Sequence, residues 1–343
     1  MAVASQVLAI KLQANGNAKC EETQAPRAVE SSLLLKIIHA PVCGTDGAIL
    51  KGKIKAKPGV TLGHEYYGVV ADVGDRVSGF QIGDRVLGSP SIPCLNCHYC
   101  RRGDTQLCNR FVMFGVDIDG SFAEYMLVPS PGNTLSTTTV DGKLASLLGD
   151  TVATGYRAIE QAGLHETHTL AIIGAGPIGC AALITALTKN PKNVYVIARS
   201  KYRLSIAEEL GGTTLNAGEC DPGRQVLQDT LFGVDIVIDC AGSQSTLNLA
   251  TRLTKKGGRI IIASIMPEVR LVMQELMVNE KHIIGAFCPT GPVYLRRIQE
   301  FVSSKNLQSK LMKLVTHEFD LKNGVDAINS LDSPERMKVL INP

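Results

Sequence analysis

Four cysteines close together in the sequence could hold a metal ion. Cys94, Cys97, Cys100 and Cys108 follow the spacing C-x2-C-x2-C-x7-C, which lets one irregular loop place four thiolates around a tetrahedral ion. Zinc accepts such a set without redox chemistry, and four protein ligands leave no position for a substrate. The spacing therefore predicts a structural zinc site, with His98 at the surface and not on the metal. An iron–sulfur cluster and a zinc-dependent nucleic-acid contact are the alternatives.

A glycine-rich turn could bind a dinucleotide. The sequence G-A-G-P-I-G at residues 174–179 follows the strand-like segment LAII and precedes the helix-like segment CAALITALTK. Glycines at this spacing permit a tight turn, close approach of the backbone to a pyrophosphate, and packing of the helix on the strand. The helix N-terminus also offers unpaired N–H groups to an anion. The alternative is a plain connector. The residues predicted to contact the cofactor here are Gly174, Gly176, Pro177, Ile178 and Gly179.

The end of the second predicted strand indicates which dinucleotide is preferred. An acidic residue there would bond the adenosine ribose of NAD and repel a 2′-phosphate, but the chain has Ala198. Arg199, Ser200, Lys201 and Arg203 follow, and such side chains can pair with a phosphate. The pattern favours NADP(H) over NAD(H), with contacts from Ala198, Arg199, Ser200 and Arg203. Alternatively, these cations form only the solvated start of the next helix.

Several ordered motifs together resemble a known family. C-G-T-D at 43–46 and G-H-E at 63–65 are ordinary separately, because a buried cysteine is often only a small apolar residue. They are joined by G-D-R-V at 83–86, the four-cysteine loop, D-G-S-F-A-E-Y at 119–125, T-G-Y at 154–156 and the glycine-rich turn. In this order, almost end to end, the chain resembles the zinc-dependent medium-chain dehydrogenase/reductase family of alcohol, polyol and threonine dehydrogenases.

This resemblance implies a second, catalytic zinc. Its ligands would be Cys43 and His64, with Glu65 beside them as an exchanging ligand or a neighbour. The family's third ligand lies four residues before the threonine of T-G-Y, which here is Asp150. Three protein ligands leave the open position of a catalytic zinc. The alternative for Asp150 is a structural role as the N-cap of the helix that contains T-G-Y.

The reaction implied by the resemblance is hydride transfer between an alcohol carbon and nicotinamide, with zinc as Lewis acid. Thr45 would hydrogen-bond the reacting oxygen and pass its proton towards the cofactor ribose, and Glu65 is the other candidate catalytic residue. Many relatives carry histidine where this chain has Ala48, so the outer proton relay is altered. We expect a secondary alcohol or polyol as substrate. The alternatives are a sugar or sugar-phosphate dehydrogenase, or a dinucleotide-binding protein without activity.

The secondary structure that positions these residues is predicted to differ between the two parts of the chain. Residues 1 to about 145 read as short strands separated by turns, and after about 151 apolar strands alternate with helices, as in a parallel sheet. The predicted class is α/β. A Rossmann doubly wound parallel sheet is expected at 151–288, and a β-rich catalytic domain, GroES-like by the resemblance, at 1–150 and 289–343. The nucleotide domain is predicted to have strands at 169–173, 194–198, 234–239, 259–263 and 281–286, with helices opening at Gly179 and spanning 201–210 and 245–255; a further helix at 292–305 belongs to the tail.

Composition and charge indicate which kind of partner the protein binds and in which cellular compartment it is found. The 343 residues carry 35 Lys and Arg against 32 Asp and Glu, a net charge of +3, which is too small for a nucleic-acid binder. No apolar run approaches the roughly 18 residues of a membrane helix and no signal peptide is recognisable. We expect a cytoplasmic protein with a small-molecule substrate. The family resemblance implies a homodimer or homotetramer, paired along a sheet edge near the apolar segment IIGAF at 283–287.

Overall fold

The computed structural model describes residues 4–343, and the chain divides into two compact units, Met1–Asp150 with Pro289–Pro343, and Thr151–Cys288. The strands are β1 (Gln6–Leu12), β2 (Ala18–Gln24), β3 (Leu33–Val42), β4 (Tyr67–Val73), β5 (Arg85–Gly88), β6 (Ser91–Ile92), β7 (Val112–Met113), β8 (Tyr125–Val128), β9 (Thr134–Ser136), β10 (Thr169–Ile173), β11 (Asn193–Ala198), β12 (Thr213–Asn216), β13 (Val234–Asp239), β14 (Thr254–Ile262), β15 (His282–Gly285), β16 (Val315–Asp320) and β17 (Lys338–Asn342). The helices are α1 (Gly44–Leu50), α2 (His98–Arg101), α3 (Gly142–Leu147), α4 (Ala153–Ala162), α5 (Pro177–Leu187), α6 (Lys201–Glu209), α7 (Pro222–Thr230), α8 (Gln244–Leu253), α9 (Met273–Val278), α10 (Pro292–Ser304), α11 (Gln308–Met312) and α12 (Gly324–Asn329). None of the helices in these described residues has the length and apolar character needed to cross a bilayer.

The first unit is built on a seven-stranded sheet. Its strands run in the order β16-β17-β3-β4-β5-β9, with β8 paired to β3. The long strand β3 is buried along most of its length and pairs with three strands, β17, β4 and β8. Apolar residues from β1, β3, β4, β8 and the C-terminal β17 form the core. The C-terminal segment is therefore an integral part of this unit.

The second unit is a six-stranded parallel sheet in the order β12-β11-β10-β13-β14-β15. Its central strands read as nearly continuous apolar runs because both faces are buried. The strand order reverses between β10 and β13, and ligands of doubly wound sheets bind at the carboxyl ends of the strands at such a point. Strand β15 lies at one edge. The predicted fold class, a Rossmann-type sheet with a GroES-like domain, is confirmed.

Helix α8 ends earlier than its sequence predicts. The sequence predicts a helix over 245–255, with Gly257 and Gly258 directly after it as a stop signal, but the helix ends at Leu253 and β14 begins at Thr254. The two glycines lie within the strand, at a bulge where the pairing register with β13 shifts. Gly257 has a φ of 71° there, which a side chain would disfavour. Glycine marks a bulge at this place and not a helix end.

Candidate active site and metal centres

Cys43 is held at the start of helix α1 by the aspartate of its own motif. Its backbone N–H donates to Asp46 Oδ2 at 2.8 Å, and the Asp46 N–H donates to the Cys43 carbonyl at 3.1 Å. Asp46 is fully buried, and its other oxygen, Oδ1, lies 3.3 Å from His64 Nδ1. The C-G-T-D motif therefore fixes the cysteine backbone and orients the imidazole, a common arrangement behind metal-bound histidine. Sequence reasoning missed this role of Asp46.

His64 and Glu65 follow a turn that only glycine can make. Gly63 has a φ of 90°, and an added Cβ would lie 2.6 Å from Ser121 Oγ. Ser121 belongs to the D-G-S-F-A-E-Y segment; its hydroxyl donates to the Glu65 carbonyl at 2.7 Å and its N–H donates to the Gly63 carbonyl at 3.1 Å. The D-G-S-F-A-E-Y segment therefore supports the backbone of the G-H-E motif, which is why the two motifs occur together.

Asp150 lies in a π-helical turn, Leu148–Val152, between α3 and α4. The N-cap of α4 is Val152, so the alternative in which Asp150 caps this helix is wrong. A Cβ on Gly149 would overlap the carbonyl oxygen of Gly88, and a Cβ on Gly88 would overlap the Tyr66 hydroxyl. π-Helical turns are frequent at functional sites, and this one packs on the end of β5 at Gly88.

These elements bring Cys43, His64, Glu65 and Asp150 together. Each offers one ligand atom, and the four atoms lie within 4.8 Å of one another. Asp150 Oδ2 is 3.6 Å from Cys43 Sγ and 3.6 Å from His64 Nε2. His64 is buried, yet neither of its ring nitrogens makes a hydrogen bond within the described residues. Thiolate, imidazole and carboxylate are the donors that zinc prefers, and the buried His64 Nε2, which faces Asp150 without a hydrogen bond, fits a metal ligand.

The electrostatics of the cluster also suit a cation. Burial alone would lower the pKa of His64, but the neighbouring Asp46 and Asp150 raise it well above its usual range. Burial raises the pKa of Glu65 to about 7, although Lys338 acts in the opposite direction. The cluster is therefore rich in negative charge, and that charge stabilises a positive group placed within it.

Lys338 also belongs to this site, although the sequence gives little indication of it. It is buried at 2% exposure and forms an ion pair with Glu65, 273 residues away along the chain. Burial would lower the pKa of Lys338, but Glu65, Cys43 and Asp150 raise it. A lysine near the start of the apolar strand segment MKVLINP is the only sequence signal, since lysine is almost never fully buried unless it is paired.

Thr45 and Ala48 lie on helix α1, which begins directly after Cys43. The Thr45 hydroxyl is 3.8 Å from Cys43 Sγ, so its oxygen lies next to the ligand set. Ala48 is two residues past Asp46 on the same helix and offers only a methyl group. The Thr45 hydroxyl could therefore hydrogen-bond a molecule bound at the cluster, whereas the methyl group of Ala48 can neither donate nor accept a proton.

The four-cysteine loop forms a second cluster. The sulfur atoms of Cys94, Cys97, Cys100 and Cys108 lie within 4.8 Å of one another, and none of the four is in a disulfide. Backbone N–H groups of Cys94 and Arg110 donate to Cys108 Sγ at 3.2 and 3.4 Å. His98 is exposed and outside the cluster, as predicted.

Hydrogen bonds in this loop favour thiolates. Backbone donation at Asn96 is the main cause that lowers the pKa of Cys94 to about 6, and Arg110 also contributes. Backbone hydrogen bonds at Cys100 and Asn109 lower the pKa of Cys97, whereas burial raises that of Cys100 to about 12. Hydrogen bonds therefore favour the thiolate form at Cys94 and Cys97, and four cysteine sulfurs within one loop fit zinc.

Each glycine of the glycine-rich turn has a different structural role. Gly174 has a φ of 104°, and a Cβ on Gly179 would overlap the Gly174 carbonyl. Around Gly176 a Cβ would meet nothing within 4 Å, so the backbone there is open to a ligand. Gly176 is also the N-cap of α5, with Pro177 and Ile178 in its first turn. Helix α5 has 11 residues, and the backbone N–H groups at its open N-terminus fit a pyrophosphate.

The residues predicted to select the dinucleotide surround the end of β11. Ala198 ends the strand and Arg199 is exposed. Ser200 caps α6, its hydroxyl oxygen accepting the Arg203 N–H at 3.1 Å. Arg203 is partly buried, and burial lowers the pKa of its guanidinium. Lys201 pairs with Glu219 at 2.6 Å, so of these cations Arg199 is the most available to an incoming anion.

Comparison with known proteins agrees with both units. Residues 30–136 match the alcohol dehydrogenase GroES-like domain, and residues 177–304 match the zinc-binding dehydrogenase domain. The L-threonine 3-dehydrogenase of Xanthomonas euvesicatoria pv. vesicatoria (strain 85-10) is 30% identical over 263 residues, which cover 75% of this chain and 77% of the relative. The chain belongs to the zinc-dependent medium-chain dehydrogenase family. It is thus an NAD(P)-dependent oxidoreductase that acts on CH–OH groups.

Two solved structures are also similar to this dehydrogenase. A zinc-binding dehydrogenase from Sinorhizobium meliloti 1021, solved with NADP, has 29% identity and a TM-score of 0.89 and covers 99% of this chain and 100% of its own. An alcohol dehydrogenase from Escherichia coli CFT073, solved with NADH, has 27% identity and a TM-score of 0.89 with the same coverage. The two structures hold different dinucleotides, so the cofactor preference of this dehydrogenase depends on its own residues at the binding site.

The contact behind Asp150 yields a prediction about metal binding. Gly149→Ala should force the π-helical turn away from Gly88, displace Asp150, and weaken zinc binding at the Cys43 cluster by about 10- to 100-fold, as for other groups that orient ligands. The four-cysteine cluster should keep its zinc. The measurement is zinc content and affinity against a competing chelator, with circular dichroism to verify folding.

Gly142→Ala is the matched control. Its Cβ would lie 2.6 Å from the Tyr67 ring, so a similar overlap arises in helix α3 without a clash against the backbone behind Asp150. This variant should retain both zinc ions. Unchanged zinc affinity in Gly149→Ala would show that the glycine contact does not position the ligand.

Proposed function

We propose that this dehydrogenase interconverts a secondary alcohol or polyol and its carbonyl product, with NADP(H) as the preferred hydride carrier. The observation that carries the proposal is the convergence of Cys43, His64 and Asp150, whose ligand atoms lie within 4.8 Å of one another around a buried imidazole. Three ligands of these types leave one coordination position for a substrate oxygen. A site closed by four protein ligands would not offer that position.

In the proposed site Cys43, His64 and Asp150 hold zinc. The bound ion supplies Lewis acidity towards the substrate oxygen, and the nicotinamide supplies or accepts the hydride. Asp46 holds the imidazole from behind, through its 3.3 Å approach to Nδ1. Lys338 pairs with Glu65, which balances part of the negative charge and occupies Oε1 of the Glu65 carboxylate. The protein thus fixes both the shape and the charge of the set.

Thr45 is proposed to handle the proton of the reacting alcohol. Its hydroxyl lies beside Cys43 Sγ at 3.8 Å and can accept one hydrogen bond while donating another. Ala48 provides no onward group, so the next step of the relay would pass to a cofactor hydroxyl or to water. The four-cysteine loop is proposed as a structural zinc site, which makes two zinc ions per chain.

The preference for NADP(H) is supported by charge at the end of β11. Ala198 brings no carboxylate to repel a 2′-phosphate, and the exposed Arg199 is the next residue. Arginine pairs with phosphate through parallel N–H donors. Ser200 is the N-cap of the following helix and Arg203 lies in its first turn, where the Ser200 hydroxyl accepts the backbone N–H of Arg203.

A homo-oligomer is proposed from the edge of the parallel sheet. Among residues 4–343, strand β15 has a neighbour on one side only, and the preceding helix α9 contains no buried residue. Val272, Met273, Met277 and Val278 are exposed there. An unpaired edge beside exposed apolar side chains supports pairing of two copies.

The two proposed zinc sites should be separable by mutation. Wild-type protein should contain two zinc ions and oxidise NADPH with members of a panel of aldehydes, ketones and ketoses. Cys43→Ser should lose one zinc ion and nearly all turnover, whereas Cys97→Ser should lose one zinc ion and mainly thermal stability. Zinc analysis, turnover and melting temperature on the same samples provide the test. Saturated wild-type protein with a single zinc ion would contradict the proposal.

The cofactor preference should follow charge at the end of β11. Arg199→Ala should weaken NADPH binding roughly ten- to a hundredfold, the worth of one charge-assisted contact, and leave NADH nearly unchanged. Ala198→Asp should favour NADH. Lys201→Ala is the matched control, because Lys201 is already paired with Glu219 and its loss should matter little. Equal or better kcat/KM with NADH in the wild type would refute the preference.

The role of Thr45 predicts a clear difference between two substitutions. Thr45→Ala should lower kcat by roughly 10²- to 10⁴-fold, the usual contribution of a positioned proton transfer. Thr45→Ser should keep most of the activity because it retains the hydroxyl group. Steady-state kinetics with one fixed substrate, together with zinc content, would check this. Full activity of Thr45→Ala would mean that the proton leaves by another route.

A further inference from the structure

A buried carboxylate lies at the point where the strand order of the parallel sheet reverses. Asp239 is the last residue of β13, is fully buried, and lies in register with Ile173 at the end of β10. Gly174 and the glycine-rich turn follow directly after Ile173. A carboxylate is an unfavourable neighbour for a pyrophosphate, since both carry negative charge. A structural role is therefore needed to explain why the Asp239 carboxylate lies on this edge of the sheet.

The hydrogen bonds of Asp239 indicate that role. Its Oδ1 accepts the backbone N–H groups of Ala241 at 2.9 Å and Gly242 at 3.0 Å, which forces a tight turn with a φ of 72° at Gly242. The other oxygen, Oδ2, has no hydrogen-bond partner within the described residues. The side chain thus shapes the segment 240–243, which leads from β13 into α8.

This segment forms one wall of the glycine-rich turn. At Gly174 an added Cβ would lie 3.2 Å from the Ala241 Cβ, its backbone nitrogen, and the Cys240 carbonyl carbon. On its other side the segment packs on Ser264 and Ile265, which a Cβ on Gly242 would meet at 3.0 and 2.5 Å. With both faces in contact, a change in the turn at 240–243 must be transmitted to Gly174.

We propose that Asp239 is a positioning residue for dinucleotide binding, which holds the 240–243 segment against Gly174 and so fixes the turn that receives the pyrophosphate. The role is geometric and uses Oδ1 as an acceptor; it does not use the negative charge. Because the pyrophosphate is common to both dinucleotides, Asp239 affects NADPH and NADH alike. The inference rests on dinucleotide binding at this turn, and it is independent of the proposed NADPH preference.

The test is calorimetric titration of the full-length, zinc-loaded protein with NADPH and with NADH. Asp239→Ala leaves two backbone donors without their acceptor and should weaken both dinucleotides by the same factor, about tenfold or more. Asp239→Asn retains an oxygen acceptor and removes a negative charge, so its affinities should equal or exceed those of the wild type. This pattern differs from Arg199→Ala, which should affect NADPH alone.

Asp221→Ala is the matched control for lost hydrogen bonds. The Asp221 carboxylate also accepts two backbone N–H groups, those of Gly223 and Arg224, at the start of α7. Its loss should lower the melting temperature as Asp239→Ala does, yet leave both affinities within about twofold, since the hydrogen bonds that it removes lie at the start of α7 and not in the 240–243 segment.

Three outcomes would overturn the inference: unchanged affinities in Asp239→Ala, an equal loss in Asp239→Asn, or a comparable loss in Asp221→Ala. Wild-type protein that binds neither dinucleotide would instead refute the proposed function. If the Asp239→Ala protein fails to fold, Asp239→Asn and Asp239→Ser, which keep an oxygen at or near this position, provide the comparison. Asp239→Ser should bind more weakly than Asp239→Asn, because its shorter side chain does not reach both N–H groups.

Discussion

Buried negative charge around one imidazole is the constraint on which the catalytic unit depends. Cys43, Asp46, Glu65 and Asp150 converge on His64. All of these residues except Cys43 are almost inaccessible to water. Such charges are costly to bury unless cations or hydrogen bonds compensate them. Lys338 supplies one cation through its ion pair with Glu65. The remaining charge calls for a second, and a zinc ion at the open face of the set meets that need.

Close backbone contacts at glycine maintain both functional regions. Gly149 packs on Gly88 behind Asp150, and Gly179 packs on Gly174 beneath the dinucleotide turn. In each case a side chain would separate two segments, at least one of which carries a residue proposed to bind zinc or the dinucleotide. Rigid backbone contacts suit this purpose because packed interiors transmit small displacements. The same logic connects Asp239 to the glycine-rich turn, through the 240–243 segment.

The sequence predicted what is encoded locally. The four-cysteine loop and the glycine-rich turn were predictable because their groups lie within one loop or one strand–turn–helix unit. Asp150 lies 107 residues from Cys43, and only the resemblance to a family placed it in the site. The roles of Lys338 and Asp46 were not predictable, because they depend on tertiary packing. The π-helical turn at Asp150 and the bulge in β14 likewise arise from packing against other segments and have no pattern of their own.

The central claim is that Cys43, His64 and Asp150 hold a catalytic zinc ion that is distinct from the ion in the four-cysteine loop. Anomalous diffraction at the zinc absorption edge, from crystals of zinc-saturated protein, tests it most directly. The account predicts two zinc peaks per chain. One should lie among the four sulfur atoms of the cysteine loop, and the other should contact Cys43 Sγ, His64 Nε2 and an Asp150 carboxylate oxygen. No peak at the second position, or a peak that does not contact His64, would contradict the account.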